Sequence, residues 1–252
     1  MIHQTMVVLP TYNEAENLSP MIDALLALPV NLRVLVVDDN SPDGTGALAD
    51  QLAAQHAGQI DVMHRTEKAG LGPAYLAGFQ RAIDLGADYI VQMDADFSHQ
   101  PRYIPDLIDK LEQGYDLVIG SRFAPGGGVD QTWSPYRKLL SWFANGVYVR
   151  VLLGIPVSDA TGGYRIWRRE TLTGMGMDRV RSNGYVFQVE MAYVAYRLGY
   201  RIAEIPIYFP DRARGKSKMG SHIVFEAALR VWQLIYRHHS LNPQMRRTEA
   251  VH

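Results

Sequence analysis

The 252 residues carry 25 basic and 26 acidic side chains, a formal net charge of −1, and 47% of them are hydrophobic. That balance supports one large ordered core or two small ones and gives no global basic field for nucleic acid, so any anion site has to be local. The chain has no cysteine, which excludes disulfides, thiolate metal sites and a cysteine nucleophile together. The N-terminal stretch MIHQTMVVLPTYNE lacks the basic start and long apolar run of a secretory signal. No run of about 20 apolar residues would span a bilayer: Arg150 interrupts VYVRVLLGIPV, and Glu226 and Arg230 interrupt IVFEAALRVWQLIY. The chain reads as soluble or as sitting on a membrane surface.

In chain order, short apolar runs at MVVLP (6–10), RVLVVDD (33–39), IDVMHR (60–65), YIVQMD (89–94) and YDLVIG (115–120) alternate with helix-period segments. Runs this short without polar alternation suit strands covered on both faces, so the pattern predicts a mostly parallel sheet flanked by helices. NEAENLSPMIDALLAL is rich in helix formers, SPDGTGALADQLAAQ opens on a turn with Thr45 as a capping residue, and HQPRYIPDLIDKLEQG ends at Gly114. The second half is less regular. A Gly- and Pro-rich loop (124–138) leads into the helical stretch RKLLSWFANGVYVRVLLG, then SDATGGYRIWRRE, the helix GYVFQVEMAYVAYRLG and an edge-like run YRIAEIPIYF. A basic loop, PDRARGKSKMGS, precedes a last helix at 221–239. No polar linker separates the halves, so residues 1–240 read as one domain and 241–252 as a frayed tail.

In an open parallel sheet, ligands lie outside the carboxyl ends of the strands. Pro10 to Glu14, Asp38 and Asp39, Asp94 and Asp96, and Ser121 and Arg122 all follow such runs and would share one polar edge. Asp94 and Asp96 are one residue apart. Two like charges held that close repel unless a cation sits between them, and all-oxygen donors suit magnesium or manganese. By spacing alone, solvated acids or helix caps explain the pair equally well. In DDNSPDGT, Asp43 and Gly44 read as turn formers, whereas Asp39 is placed to accept hydrogen bonds from a base or ribose. The loop DRARGKSKMG combines four basic residues with two glycines; ordinarily such a loop is a solvated face, but it also has the composition of a lid that closes on phosphates. No Gly-x-Gly-x-x-Gly, P-loop or Gly-x-Ser-x-Gly motif is present. The histidines read as scattered surface groups, with His99 alone close to the acid pair.

Together LPTYNEAENL, VVDDNSPDGT, GLGPAYLAGF, MDADFSHQP, IGSRF, SDATGGYRIW, GYVFQVEM and DRARGKSKMG resemble, in order, the inverting family-two glycosyltransferases, and most closely the polyprenol-phosphate (dolichol-phosphate) mannose synthases. The resemblance runs from about Met6 to about Ser240. It implies an A-type glycosyltransferase fold with a Rossmann-like nucleotide-binding half. Residue by residue, it implies that Pro10, Tyr12 and Glu14 contact the nucleotide and that Val37 and Asp39 hold base and ribose. Asp94, Ala95 and Asp96 form the Asp-x-Asp metal and diphosphate motif, and Arg122, Arg212 and Lys218 contact phosphates. Asp96, Arg122, Arg212 and Lys218 are the catalytic candidates. Some relatives carry Gln as a further metal ligand two places after the second Asp; Ser98 stands there, a poorer third donor that water would replace.

The implied reaction is metal-dependent (Mg2+ or Mn2+) inverting transfer of mannose from GDP-mannose to a polyprenyl monophosphate, giving a lipid-linked sugar and GDP. Such an acceptor needs no base, because a phosphate monoester with a second pKa near 6 is substantially ionised at neutral pH. A UDP-glucose or other UDP-sugar transferase acting on the same lipid is the alternative, and a non-catalytic nucleotide-sugar-binding protein a remote one. The implied location is peripheral, on the cytoplasmic face of a membrane. Contact would run through the amphipathic helices 135–153 and 221–238, or through a separate anchoring subunit or domain.

Overall fold

The computed structural model describes residues 3–134, 138–139, 142, 149–210 and 221–248, with the backbone alone at Tyr185 and at 221–229. The first half alternates strand and helix: β1 (Thr5–Thr11), α1 (Ala15–Leu26), β2 (Leu32–Asp38), α2 (Thr45–Gln55), β3 (Ile60–His64), α3 (Leu71–Asp84), β4 (Tyr89–Gln92), α4 (Ile104–Glu112) and β5 (Leu117–Ser121). After a short strand β6 (Gly128–Val129) come α5 (Arg150–Leu153), β7 (Arg165–Arg168), α6 (Arg169–Met175), α7 (Tyr185–Arg197), β8 (Ile202–Pro206), β9 (Tyr208–Phe209) and α8 (Ser221–His238). Seven strands form one sheet in the order β3-β2-β1-β4-β7-β5-β8, while β6 and β9 pair separately. All sheet pairings are parallel except those of β7, which runs antiparallel between β4 and β5.

The strand runs are apolar without alternation because both faces of the sheet are covered. In β1, Met6 and Val8 belong to a core shared with Tyr75, Phe79 and Phe187, whereas Val7 and Leu9 belong to a second core with Leu18, Ile22 and Leu107. Successive side chains point to opposite faces, so each residue of the run finds its own layer of helices. Gly78 of α3 shows how closely those layers approach: a β-carbon there would lie 2.4 Å from Val8 Cγ1 and 3.0 Å from Val37 Cγ2.

Strand β7 was not evident from composition, since RIWR has arginine at both ends. Arg165 is fully buried, and its guanidinium donates to the carbonyls of Ala160 (2.7 Å), Gly162 (2.8 Å) and Gln188 (2.8 Å). Burial draws its pKa down to about 9, so the group stays charged at neutral pH. Three carbonyl dipoles take the place of water around it, and the loop 160–164 is thereby fixed to the sheet. Thr45 also departs from expectation. Its own helix is N-capped by Gly44 at φ 90°, and the Thr45 hydroxyl instead accepts from the backbone N–H of Glu14 at 3.0 Å.

The expected frayed tail is ordered as far as it is described. Arg246 donates to the carbonyls of Leu198 and Gly199 at 2.7 and 2.6 Å and lies over the Tyr200 ring, and the Arg247 N–H donates to Gly174 at 2.8 Å. Residues 249–252 lie outside the described residues. Of the expected helix 135–153, residues 138–139, 142 and 149–153 are described and are helical. Among the described residues no helix is long and apolar enough to cross a membrane.

The expectation of surface histidines fails at His238, which is 3% exposed. Its Nε2 lies 2.8 Å from Glu190 Oε1, the same oxygen that accepts from Arg237 at 2.7 Å, while Oε2 accepts the backbone N–H groups of Arg181 and Ser182 at 3.0 and 2.7 Å. Glu190 on α7 thus ties the C-terminal end of α8 to the loop before α7. Burial works to raise its pKa, but the hydrogen bonds from His238, Ser182 and Arg237 outweigh it and hold it at about 2. A depressed carboxylate contributes stability above its unfolded pKa and loses it as pH falls through the folded one. Glu190→Gln should therefore lower the unfolding free energy by about 3 kcal/mol at neutral pH. In paired denaturant titrations the gap from wild type should close between pH 4.5 and pH 2; a gap that stays constant over that window would contradict the assignment.

Candidate active site

Strand β1 pairs with β2 on one side and β4 on the other, so the direction of winding changes between β1 and β4. The loops at the carboxyl ends of these strands part there, and a cleft of about 250 Å³ opens. Pro10, Thr11, Tyr12 and Glu14 line it from the end of β1, Asp39 from the end of β2, and Asp94, Ala95 and Asp96 from the end of β4. Lys68, Gly70, Leu71 and Ala74 supply the remaining wall from the start of α3 and the loop before it.

The turn chemistry of DDNSPDGT holds the first two loops together. Asp38 is buried and accepts from Thr11 Oγ1 (3.2 Å) and from the N–H and hydroxyl of Ser41 (3.1 and 2.6 Å). Asp43 accepts from the Thr45 N–H (3.0 Å) and from the Ala15 N–H at the start of α1 (3.2 Å). Asn13 and Asn40 turn the chain at φ 61° and 58°, a region that Asn tolerates better than most residues. Asp39, 5% exposed, is thereby set on the cleft wall, where Arg65 pairs with its Oδ1. The Lys68 ammonium sits 3.4 Å above the centre of the Tyr12 ring.

The acid pair is held by its own loop and by α3. Tyr75, completely buried, donates its hydroxyl to Asp94 Oδ1 at 2.8 Å. Burial, with the charges of Asp94 and Asp96 behind it, pushes that phenol well above its usual range, so it remains a donor. Asp96 Oδ1 accepts the N–H of Ser98 at 3.0 Å and its hydroxyl at 2.5 Å, with Phe97 between them at φ 61°. His99 is 3% exposed, a second departure from the expected surface histidines, and its Nδ1 accepts the backbone N–H of Asp94 at 2.9 Å. Burial lowers the His99 pKa and favours the neutral ring.

The structure thus brings Pro10, Tyr12, Glu14, Asp39, Asp94, Ala95 and Asp96 onto one cleft, and it puts other candidates elsewhere. The Val37 side chain is wholly buried against α3. Ser98 is 2% exposed with its hydroxyl turned to Asp96. Arg122 makes a bidentate pair with Asp159 (Nε–Oδ2 and Nη2–Oδ1 both 2.7 Å) and donates to Thr161 Oγ1 at 2.9 Å. Burial alone would raise the Asp159 pKa, but the Arg122 charge and hydrogen bonds outweigh it and hold the carboxyl low. Gly127 lets the Gly-rich loop lie on this arginine's backbone, since a β-carbon there would be 2.6 Å from the Ser121 carbonyl oxygen. Arg212 and Lys218, with the rest of the basic loop, lie outside the described residues.

Sequence reading passed over Arg65, Lys68, Tyr75 and Asp159. Tyr75 and Asp159 lie within GLGPAYLAGF and SDATGGYRIW, but their partners are 19 and 37 residues away. Only Lys68, one basic residue just ahead of a Gly-Leu-Gly turn, offered a local signal.

Two carboxylates on one wall of a polar cleft are suitable donors for magnesium or manganese. Among the described residues no group of three or more acids and histidines converges, and Mg2+ is commonly held by one or two carboxylates with water and substrate phosphates completing its shell. The donor set fits such an ion with Asp94 and Asp96 as its protein ligands.

Residues 6–174 match the model of Glycosyl transferase family 2. The chain is 46% identical over 228 residues to the polyprenol monophosphomannose synthase of Mycolicibacterium smegmatis, covering 90% of this chain and 85% of that one. It is 45% identical over 244 residues to the undecaprenyl-phosphate mannosyltransferase of Micrococcus luteus, covering 96% and 99%. Among solved structures, glucosyl-3-phosphoglycerate synthase from Mycobacterium tuberculosis with Mg2+ and UDP superposes with a TM-score of 0.63 at 21% identity, over 94% of this chain and 80% of that one. Mannosyl-3-phosphoglycerate synthase from Rubrobacter xylanophilus gives 0.58 at 17%, over 93% and 73%. These likenesses match the A-type glycosyltransferase fold seen in the sheet. On the family model and the two mannosyl-transferring relatives, the chain belongs to glycosyl transferase family 2.

Proposed function

We propose that this enzyme transfers mannose from GDP-mannose to a polyprenyl monophosphate with inversion, using Mg2+ or Mn2+, and releases GDP. The observation that carries the reading is that one cleft holds both the acid pair and the residues assigned to the nucleotide, Pro10, Tyr12, Glu14 and Asp39. The names of the two mannosyl-transferring relatives support the sugar and the lipid acceptor.

Asp39 accepts from the base or ribose while Arg65 holds it in place. Tyr12 and Glu14 form the adjoining wall, and Asp94 and Asp96 face the diphosphate. The ion bound there would offset the charge that develops on the departing GDP. The acceptor phosphate is its own nucleophile, so the chain has to offset repulsion between two anionic substrates rather than remove a proton. Arg122, held rigid by Asp159, and Arg212 and Lys218 on the basic loop are assigned to that task.

The lipid brings the enzyme to a membrane surface. Trp232 and Tyr236, one turn apart on α8, are 56% and 83% exposed, and Val151 on α5 and Trp142 are 72% and 51% exposed. Aromatic side chains exposed on helices with basic neighbours suit the interfacial region of a bilayer.

Two measurements test the reading. Supplied with radiolabelled nucleotide sugars, polyprenyl phosphate and Mn2+, the enzyme should give a chloroform-soluble labelled product from GDP-mannose, and Asp96→Ala should cut the rate by about 100-fold or more. Label from UDP-glucose alone would sink the mannose assignment, and an undiminished Asp96→Ala rate would sink the metal role. Co-sedimentation with anionic phospholipid vesicles should weaken about tenfold or more in Trp232→Ala/Tyr236→Ala; equal binding by both proteins would move the membrane contact elsewhere.

A further inference from the structure

The parallel ladder between β1 and β4 ends just before the acid pair. Its last contact is the Met93 N–H to the Val8 carbonyl, stretched to 3.5 Å. The next N–H, that of Asp94, faces away from β1, lies beyond the last β4–β7 pair at Gln92 and Arg165, and donates to His99 Nδ1 at 2.9 Å. Five residues later in the chain, the imidazole thus does what a neighbouring strand would otherwise do for a carboxylate at the sheet edge.

The ring is closely held. It stacks on Tyr164 with centroids 5.0 Å apart and planes 19° apart, and meets the edge of Phe209 at 5.7 Å. A β-carbon at Gly163 would lie 3.3 Å from His99 Cε1, so glycine at that position makes room for the ring. Phe209 ends β9, directly ahead of the segment that carries the basic loop, and Arg122 lies over the same ring at 5.4 Å. His99 is therefore packed between the end of β4, the loop fixed by Arg165, and β9.

We infer that His99 is a positioning residue for the acid pair: its unprotonated Nδ1 holds the backbone of Asp94, and its packed ring fixes that carboxylate relative to β9. This rests on the proposed metal-binding role of Asp94 and Asp96. An Nδ1 that accepts an amide N–H requires the neutral ring to carry its proton on Nε2. Groups that orient a metal's ligands typically change its affinity 10- to 100-fold when removed. A ring that merely filled space would be replaced by phenylalanine without that loss.

The experiment has three arms on the full chain. In a long-range 1H–15N spectrum of the wild-type protein, assigned by the signal that disappears in His99→Asn, His99 should show the Nε2–H tautomer; an Nδ1–H tautomer overturns the inference whether or not His99→Phe folds. Mn2+ binding in the presence of GDP, followed by loss of the free-ion electron paramagnetic resonance signal, should weaken about 10-fold or more in His99→Phe. His99→Asn, whose amide oxygen can take the place of Nδ1, should recover to within about threefold of wild type. Unchanged binding in His99→Phe, or equal loss in both variants, overturns the role. Wild-type protein that takes up no Mn2+ with GDP would instead overturn the metal reading itself, and the positioning role with it.

Discussion

Repulsion between Asp94 and Asp96 is the constraint around which the site is built. Two carboxylates one residue apart at the end of a buried strand would gain by separating. Here neither is free to move: the Tyr75 hydroxyl holds the side chain of Asp94, His99 holds its backbone, and Ser98 turns Asp96 back on its own loop. All three partners are neutral hydrogen-bonding groups. They orient the acids without bringing a formal charge of their own, which is compatible with the ion proposed for this site.

Two described arginines, one beside the cleft residue Asp39 and one at the end of β5, are instead paired with acids. Arg65 is paired with Asp39 and Arg122 with Asp159, both in partly or wholly buried surroundings. A buried ion pair adds little net stability compared with an apolar one, but it fixes geometry, because removing one partner strands the other. Asp159 is in turn placed by the Glu204 carboxylate, which accepts the N–H groups of Ser158 and Asp159 at 2.8 and 2.9 Å. Arg122 is thus held in one orientation by Asp159 and Thr161.

The first half of this architecture was legible because strands covered on both faces have to be apolar throughout, and RVLVVDD and YIVQMD say so plainly. β7 was not, because its two arginines are satisfied by carbonyls that come together only in the fold. The same holds for the histidines: nothing local distinguishes His99 and His238 from solvent-facing residues, since their partners are an amide at the end of a strand and a glutamate 48 residues away. Of the site, the turn around Asp39 could be read from its residue types, and the carboxylates only once the ordered family motifs stood beside their spacing. Tyr75 and Arg65, which hold Asp94 and Asp39, and Asp159, which holds Arg122, could not, because orientation is a relation between elements and has no period.

The elements on either side of 211–220, β9 and α8, are anchored by different means, and both bear on the cleft. On the upstream side Phe209 is wedged among His99, Trp133 and Arg122. On the downstream side α8 is tied through Arg237 and His238 to Glu190, whose other oxygen holds the N–H groups of Arg181 and Ser182. The loop that begins with those two residues continues to Asn183, which donates to the Ala69 carbonyl and accepts the Gly72 N–H, so the Glu190 cluster reaches the Lys68–Leu71 wall of the cleft. A displacement of α8 would therefore be felt at that wall, and a displacement of β9 at the acid pair.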